Sequence, residues 1–310
     1  MLNAGMRPPL PRRRFLRQLA LGVAVAPFVG CASRTDGLEI GIIADPQYAD
    51  IPDRGTRAYR ASIAKLGAAV GHFNERPLDF CVNLGDTIDR QWSSFDAILR
   101  PMAACRHRWE HVLGNHDFAL LEQEKTKVDG RLGIAARHRC FDRPGFRFVV
   151  LDTGAVSTYA TLAGSEARRE AAAELARVRS RQLPQAQEWN GAVGGKQLAW
   201  FEAVVADAAT RGLKVVVFAH HPVAPAGPYD AWDAQAMLAA LGRHRHVVAW
   251  FNGHDHAGGF AAPAGLPCVT FHGMVETPDT NAFATARFLS DRVIIRGQGR
   301  EPSRELIFRV

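Results

Sequence analysis

The stretch VVAWFNGHDHAGG, residues 247–259, joins an apolar run to a loop that carries two histidines. Its first half is apolar and rich in β-branched and aromatic residues, which predicts a strand buried in a sheet. Its second half places His254 and His256 on either side of Asp255, directly after Gly253. Because residues two apart in an extended segment point the same way, we expect both imidazoles to reach one site while Asp255 faces elsewhere.

The same arrangement, a polar cluster directly after an apolar strand, occurs at four earlier points in the chain. Short apolar runs predict strands at Glu39–Ala44, Asp79–Leu84, Glu110–Leu113, Phe146–Leu151, Lys214–Ala219, Val247–Asn252, Cys268–Phe271, Ala284–Phe288 and Val293–Arg296. The polar clusters are Asp45–Gln47, Gly85–Asp86, Gly114–Asp117, His220–Pro222 and Gly253–His256. Ligands bind at the C-terminal ends of strands in α/β sheets, so we expect these clusters to meet.

Helical patterns separate the predicted strands and indicate an α/β fold. The clearest is Lys196–Arg211, where Leu198, Phe201 and Val205 fall on one face and Gly212 follows as a stop signal. The other predicted helices are Thr56–Glu75, Asp233–His244 and Ala160–Gln182, the last interpreted as a solvated helix on an insertion. No internal repeat or long Gly/Ser linker is apparent, so we predict one domain over residues 38–310.

Composition separates a basic N-terminal segment from a nearly neutral remainder. The 310 residues carry a formal net charge of +7, and 47% of them are hydrophobic, which is enough for one sizeable core. Residues 1–34 contain six arginines and no acidic residue, so removing them from +7 leaves +1. No stripe of basic residues alternates with aromatic ones, and nucleic-acid binding is therefore not expected.

The N-terminal segment has the layout of a signal peptide: a basic start, an apolar run over residues 19–30 and then small residues. The apolar run is shorter than the roughly 20 residues a membrane span needs, and Pro27 interrupts it. The string RRRFLR, residues 12–17, resembles a bacterial twin-arginine signal. We therefore predict that residues 1–34 are recognised by the twin-arginine export machinery and that the protein reaches the periplasm.

The tetrapeptide FVGC, residues 28–31, resembles a lipoprotein cleavage site with Cys31 as the lipidated residue. A lipid at Cys31 would be the protein's only contact with a membrane. The alternative is a soluble exported protein that is cut nearby.

The cysteines do not predict a metal site of their own, because none forms a CxxC pair. Cys81 lies inside an apolar run and is interpreted as a small core residue. A disulfide among Cys105, Cys140 and Cys268 remains open, without support from their spacing.

Taken in order, the five clusters have the patterns DxQ, GDxxD, GNHD, HHP and GHDH. This series resembles the calcineurin-like metallophosphoesterases, whose motifs are D-x-H, G-D-x-x-D, G-N-H-[DE], H and G-H-x-H. The resemblance implies a sandwich of two mixed β-sheets flanked by helices, and two divalent ions that share one carboxylate. The ligands implied are Asp45, Gln47, Asp86 and His256 for one ion, and Asp86, Asn115, His220 and His254 for the other.

Two such ions neutralise phosphate charge and lower the pKa of a bound water. The resemblance leaves His116 without a metal and makes it the general acid that protonates the leaving group. Asp89 would orient His116, with Asp117 as the alternative, although Asp89 could instead cap a helix. His221 is interpreted as a supporting or structural residue.

Gln47 stands where most of the superfamily has histidine. An amide oxygen favours Mn²⁺ or Mg²⁺, so we expect Mn²⁺ first, with Mg²⁺, Fe²⁺ and Zn²⁺ as alternatives. A site that is merely weakened is the other interpretation of this change. At this glutamine the chain also resembles the manganese-dependent ADP-ribose/CDP-alcohol diphosphatases. The resemblance extends to the stretches IGIIADPQYAD, RGTRAYR, NGAVGGKQLAWF, GMVETPDTNAFATA and IRGQGREPSRELIF.

This second resemblance implies hydrolysis of a phosphoanhydride or phosphodiester bond in a small nucleotide-like substrate of the ADP-ribose or CDP-alcohol type. Arg57 and Arg60 are candidates for holding the distal phosphate, or they belong to a solvated helix start. Tyr229 or Trp232 could stack on a base, or pack in the core or rim. Competing functions are an exported phosphomonoesterase, a cyclic-nucleotide or glycerol phosphodiesterase, and a metal-binding protein without turnover.

Overall fold

The computed structural model describes residues 37–309, and the predicted signal segment with Cys31 lies outside the described residues. The strands are β1 (Leu38–Ile43), β2 (Phe80–Asn83), β3 (Trp109–His111), β4 (Arg139–Arg143), β5 (Phe146–Val150), β6 (Lys214–Phe218), β7 (Val247–Asn252), β8 (Gly259–Ala261), β9 (Cys268–Thr270), β10 (Ala282–Phe288), β11 (Arg292–Gly299) and β12 (Arg304–Ile307). The helices are α1 (Ser62–Asn74), α2 (Ser94–Ala103), α3 (Glu122–Lys125), α4 (Val128–Arg131), α5 (Glu166–Ser180), α6 (Gly194–Thr210) and α7 (Ala234–Arg243). None of these helices is long and apolar enough to cross a membrane.

The strands form two six-stranded mixed sheets, and the expected sandwich is confirmed. The first sheet has the order β12-β11-β10-β1-β2-β3, with β1, β2 and β3 parallel and the rest antiparallel. The second has the order β4-β5-β6-β7-β9-β8, with β5, β6, β7 and β9 parallel and an antiparallel strand at each edge. The strands that precede the five polar clusters are all in these parallel groups.

A buried aromatic core lies between the sheets. The ring of Phe148 in β5 stacks on Phe218 in β6, with centroids 5.6 Å apart, and meets the edges of Phe80 and Phe288 from the first sheet. All four rings are buried. Helices α1 and α2 cover the outer face of the first sheet, and α6 and α7 cover that of the second.

The nine predicted strands are all present, whereas β4, β8 and β12 were not predicted. Each of these three lies at the edge of its sheet. An edge strand pairs on one side only and remains in contact with water, so it does not need a continuous apolar run. Their sequences RCFDR, GFA and RELI are accordingly short or polar.

Helix α1 begins at Ser62, six residues after the predicted start at Thr56. The backbone before it is engaged elsewhere, because Arg57 forms β-bridges with Arg54 and Glu276. The amide of Ala58 also donates to the carbonyl of Val275 at 2.8 Å. This pairing fixes Arg57 against the loop that carries Glu276.

Candidate metal centre

The polar clusters meet at one edge of the sandwich, on backbone that is bent into unusual conformations. Eight non-glycine residues of the described chain have positive φ, and four of them are predicted metal ligands: Asp45 (49°), Gln47 (39°), Asp86 (53°) and His254 (73°). Left-handed backbone is unfavourable for residues with a Cβ, and it persists where surrounding contacts enforce it. Hydrogen bonds from the amides of Asp45 and Gln47 to the carbonyls of Gly85 and Asp86 supply part of that enforcement.

Two groups of ligand atoms share one carboxylate. Asp86, His220 and His254 present atoms that all lie within 4.8 Å of one another, and so do Asp45, Asp86 and His256. Asp86 belongs to both groups, and its side chain is buried. The structure thus brings together the side chains that the sequence assigned to two neighbouring ions.

The two remaining predicted ligands are side-chain amides: Gln47 lies beside the carboxylate of Asp86, and Asn115 lies beside the imidazole of His220. Nε2 of Gln47 donates to Oδ2 of Asp86 at 2.9 Å, while its Oε1 is buried without a hydrogen-bond partner. Oδ1 of Asn115 lies 3.2 Å from Nε2 of His220. Since a buried acceptor without a partner is costly, the free oxygen of Gln47 fits a hard cation at this point.

A hydrogen bond to one ring nitrogen orients each histidine and turns its other nitrogen toward the neighbouring predicted ligands. Nδ1 of His220 donates to the carbonyl of Leu84 at 2.8 Å, and Nε2 of His254 donates to Oδ1 of Asn190 at 2.8 Å. The other nitrogens, Nε2 of His220 and Nδ1 of His254, are 3.1 Å apart, and Nε2 of His220 also lies 3.4 Å from Oδ2 of Asp86. Orientation by a second hydrogen bond is typical of histidines that bind metals.

His256 is oriented in the same way by a carboxylate. Its Nδ1 donates to Oε1 of Glu276 at 2.7 Å, which leaves Nε2 directed toward Asp45, 3.8 Å from Oδ1. The loop with Glu276 is held by Lys65, whose amino group donates to the carbonyls of Glu276 and Thr277 at 3.2 and 2.8 Å. Hydrogen bonding to His256 is the main cause that lowers the pKa of Glu276, to about 2.

Sequence reasoning gave no role to Asn190, Glu276 or Lys65. Asn190 and Glu276 lie in stretches that resemble the diphosphatases, NGAVGGKQLAWF and GMVETPDTNAFATA, but outside the metal motifs. A polar residue within such a stretch could have marked them as candidates. The histidines that they contact, His254 and His256, are apparent only in the folded chain.

The loop with His254 and His256 is a tight turn, so the expected extended geometry is wrong. The φ of His254 is 73°, and the amide of Asp255 donates to the carbonyl of Gly253 at 2.9 Å. The carboxylate of Asp45 accepts a hydrogen bond from the amide of His254 and holds the turn in this shape. The turn directs the two imidazoles to different groups of ligands. Asp255 lines a cavity next to these groups.

A model of the calcineurin-like phosphoesterase family matches residues 38–258. The chain belongs to the calcineurin-like phosphoesterase family. It is 31% identical to a manganese-dependent ADP-ribose/CDP-alcohol diphosphatase of Danio rerio, over 84% of this chain and 95% of that protein. It is 29% identical to the Homo sapiens protein of the same name, over 85% of this chain and 91% of that protein.

A crystal structure of a dimetal phosphatase from Danio rerio has the same fold, with a TM-score of 0.80 and 29% sequence identity. The match covers 88% of this chain and 99% of that chain. Together with the family match, this makes the protein a metal-dependent hydrolase of phosphoric esters or anhydrides.

In this phosphoesterase His116 lies beside the metal centre and is oriented by Asp89. Its Nδ1 and Oδ1 of Asp89 are 2.9 Å apart, and its amide donates to Oδ1 of Asp86 at 2.7 Å. Asp117 is engaged elsewhere, since its carboxylate accepts from the amides of Thr87, Ile88 and Gly114. Asp89 does not cap a helix, because the N-cap of α2 is Ser93.

Burial and neighbouring charges shift the pKa values of the titratable groups at this site. Burial would lower the pKa of His116, but the carboxylates of Asp86 and Asp89 outweigh it and raise that pKa. Burial raises the pKa of Asp45 to about 6 and drives the pKa of His254 well below its usual value. His116 therefore retains a proton to higher pH than free histidine does, and His254 favours the neutral form that metal binding requires. Although burial lowers the pKa of His220, Asp86 outweighs it and raises that pKa to about 9, so an ion bound there would displace a proton.

Two adjoining cavities open from the metal centre of this phosphoesterase. The smaller, of about 380 Å³, is lined by His116, Trp189 and several predicted ligands, and the larger, of about 440 Å³, extends past His256. Arg57 and Tyr229 line both.

Two other aromatic and basic candidates lie away from these cavities. Arg60 lines neither and pairs on the surface with Asp50 at 2.6 Å. Trp232 is buried, and its Nε1 donates to the carbonyl of Gln187. His221 contacts Thr153 at 2.7 Å and is not a member of either ligand group.

Replacing Glu276 with Gln tests the support of His256. We expect Mn²⁺ affinity to fall about 10- to 100-fold, because the imidazole loses its charged partner. Equilibrium dialysis with metal analysis measures this. The matched control is Glu301→Gln, which alters the pair between Glu301 and His272, at 2.9 Å, outside the two ligand groups. Equal affinities in the two variants would contradict the assignment.

Replacing Asp89 with Asn tests its influence on His116. A general acid must be protonated, so activity is lost as pH rises through its pKa. Because Asp89 raises the pKa of His116, its loss moves the alkaline limb of the kcat/KM profile to lower pH. We expect kcat to fall about tenfold or more with unchanged metal content. Asp291→Asn, which removes a surface carboxylate paired with Arg292, is the charge-matched control, and an alkaline limb that stays in place in Asp89→Asn would refute the orienting role.

Proposed function

We propose that this phosphoesterase binds two divalent ions, Mn²⁺ in preference, and hydrolyses the phosphoanhydride bond of nucleotide diphosphates such as ADP-ribose or CDP-alcohols. The observation that carries the proposal is the pair of ligand groups joined by Asp86 at the mouth of two adjoining cavities. The seven proposed ligands are Asp45, Gln47, Asp86, Asn115, His220, His254 and His256. The names of the curated relatives support the choice of substrate and metal.

When bound, the ions neutralise the phosphate oxygens and make water nucleophilic near neutral pH. The protein's own contribution to the leaving group is a proton. His116 holds it on Nε2, because Nδ1 is engaged with Asp89, and His116 lines the cavity next to Asp86 and Asn115. A proton donated at this position lets the leaving group depart as a singly protonated phosphate, or as a neutral alcohol when the bond cleaved is an ester.

The cavity favours a nucleotide over a small phosphate monoester. Tyr229 and Trp189 line the smaller cavity, and their side chains are 39% and 45% exposed, which is unusual for large aromatic residues. Exposed aromatic rings beside a phosphate site can stack on a nucleobase. The sequence suggested Trp232 for stacking on a base, but Trp232 is buried, and Trp189 is the tryptophan that lines the cavity.

Asp86→Ala and His254→Ala should each reduce manganese-dependent hydrolysis of bis(p-nitrophenyl) phosphate to background, because each removes a ligand of the shared centre. His244→Ala, outside the site, is the control and should retain activity within about twofold. A panel of ADP-ribose, CDP-choline, cAMP and a monoester then ranks the substrates by kcat/KM. We expect the two diphosphates to be fastest. A preference for cAMP or the monoester would replace the proposed substrate, and no turnover on the panel would favour a metal-binding protein.

We also propose that residues 1–34 are a twin-arginine signal and that the domain beginning at residue 38 acts in the periplasm, attached through Cys31 where it is lipidated. The basic, apolar and small-residue order of this segment supports the proposal.

Replacing Arg12, Arg13 and Arg14 with Lys should retain the protein in the cytoplasm, as judged by cell fractionation. Cys31→Ala should move it from the membrane to the soluble periplasmic fraction. Unchanged export of the triple variant would contradict the signal.

A further inference from the structure

The larger cavity, on the His256 side of the metal centre, has two arginines in its wall. Arg57 and Arg300 line it, together with the hydroxyl residues Thr56 and Thr277. It adjoins the smaller cavity, since both are bounded by Arg57, Tyr229 and the two histidines of the metal loop. A substrate phosphate at the metal centre therefore has a chamber with two arginines beside it.

The guanidinium of Arg300 is only partly satisfied by the protein. One Nη donates to the carbonyl of Gly273, whereas Nε is buried and has no hydrogen-bond partner. A buried charged donor without an acceptor is costly. Arg300 is half-buried and lines the cavity, so an anion there can accept from its guanidinium and offset the burial of the charge.

The carboxylates near Arg300 are committed to other partners. Glu276 accepts from His256 at 2.7 Å, and Arg57 lies 3.8 Å away from the same oxygen. Glu301 accepts from His272 at 2.9 Å and pairs with Arg304 through its other oxygen. The wall of the chamber carries two arginines, Arg57 and Arg300, and two carboxylates, Asp255 and Glu276, of which Glu276 is engaged by His256.

We propose that Arg300 and Arg57 bind the second phosphate of the diphosphate, the one that is not attacked at the metal centre. The assignment rests on the function proposed above. Guanidinium groups suit this task because their donors match the oxygens of a phosphate. Arg300 replaces Arg60 in this role, since Arg60 lies on the surface and pairs with Asp50.

This site makes the second phosphate a determinant of specificity. A diphosphate spans both the metal centre and the arginines, whereas a simple diester or a monoester reaches the metal centre alone. The contribution of Arg300 is therefore confined to substrates with two linked phosphates.

The test compares Arg300→Met with Arg60→Met, which removes the same charge outside the cavities. For Arg300→Met we expect the KM for ADP-ribose to rise about tenfold or more, the loss typical of a charged hydrogen bond. The kinetics of bis(p-nitrophenyl) phosphate should stay within about twofold, and Arg300→Lys should recover part of the loss. Arg60→Met should leave both substrates unchanged.

Binding is measured independently of turnover, by calorimetry with manganese and the methylene-bridged, non-hydrolysable analogue of ADP-ribose. We expect its Kd to rise in Arg300→Met by the same factor as KM. An equal Kd in variant and unaltered protein would overturn this phosphate site. An equal loss on both substrates would also overturn it, by showing that Arg300 only supports the loop at Gly273. If the unaltered protein binds the analogue through Arg300 but does not hydrolyse ADP-ribose, the proposed substrate fails while the phosphate site stands.

Discussion

The constraint on which the site depends is the burial of two carboxylates, Asp45 and Asp86, at the same edge of the sandwich. Charges removed from water are costly unless they are paired, and here the partners are imidazoles, backbone amides and the cations that the site is built to hold. The surrounding backbone is shaped to these oxygens. A Cβ at Gly114 would lie 2.1 Å from Oδ1 of Asp86, and one at Gly253 would lie 2.5 Å from Oδ2 of Asp45. The glycines of the GN and GH motifs are therefore required by the carboxylates they approach.

The metal centre is formed jointly by the two sheets. Asp45, Asp86 and Asn115 follow β1, β2 and β3 of the first sheet, while His220 and His254 follow β6 and β7 of the second. Only the packing of one sheet on the other brings their side chains together. The aromatic core around Phe148 thus sets the separation of the ligands as well as the stability of the fold.

A second layer of contacts joins the metal centre to the substrate chamber. Glu276 orients His256 through its side chain, while its backbone pairs with Arg57 and its carbonyl accepts from Lys65. One short loop therefore positions a proposed metal ligand and an arginine of the proposed phosphate site. Positioning by packed, hydrogen-bonded neighbours keeps a reacting phosphate in place at little entropic cost.

The sequence by itself determined the central strands, the five polar clusters and the family, because apolar runs and motif spacing are local properties of the chain. Tertiary structure decided the edge strands β4, β8 and β12, whose pairing partners are distant and whose sequences lack an apolar run. It also decided the left-handed turn at His254, which exists because Asp45, 209 residues away, accepts its amide hydrogen. Asn190, Glu276 and Arg300 were recognised only in the fold for the same physical reason. Their roles reside in contacts between segments far apart in the chain, and no local pattern encodes which segments meet.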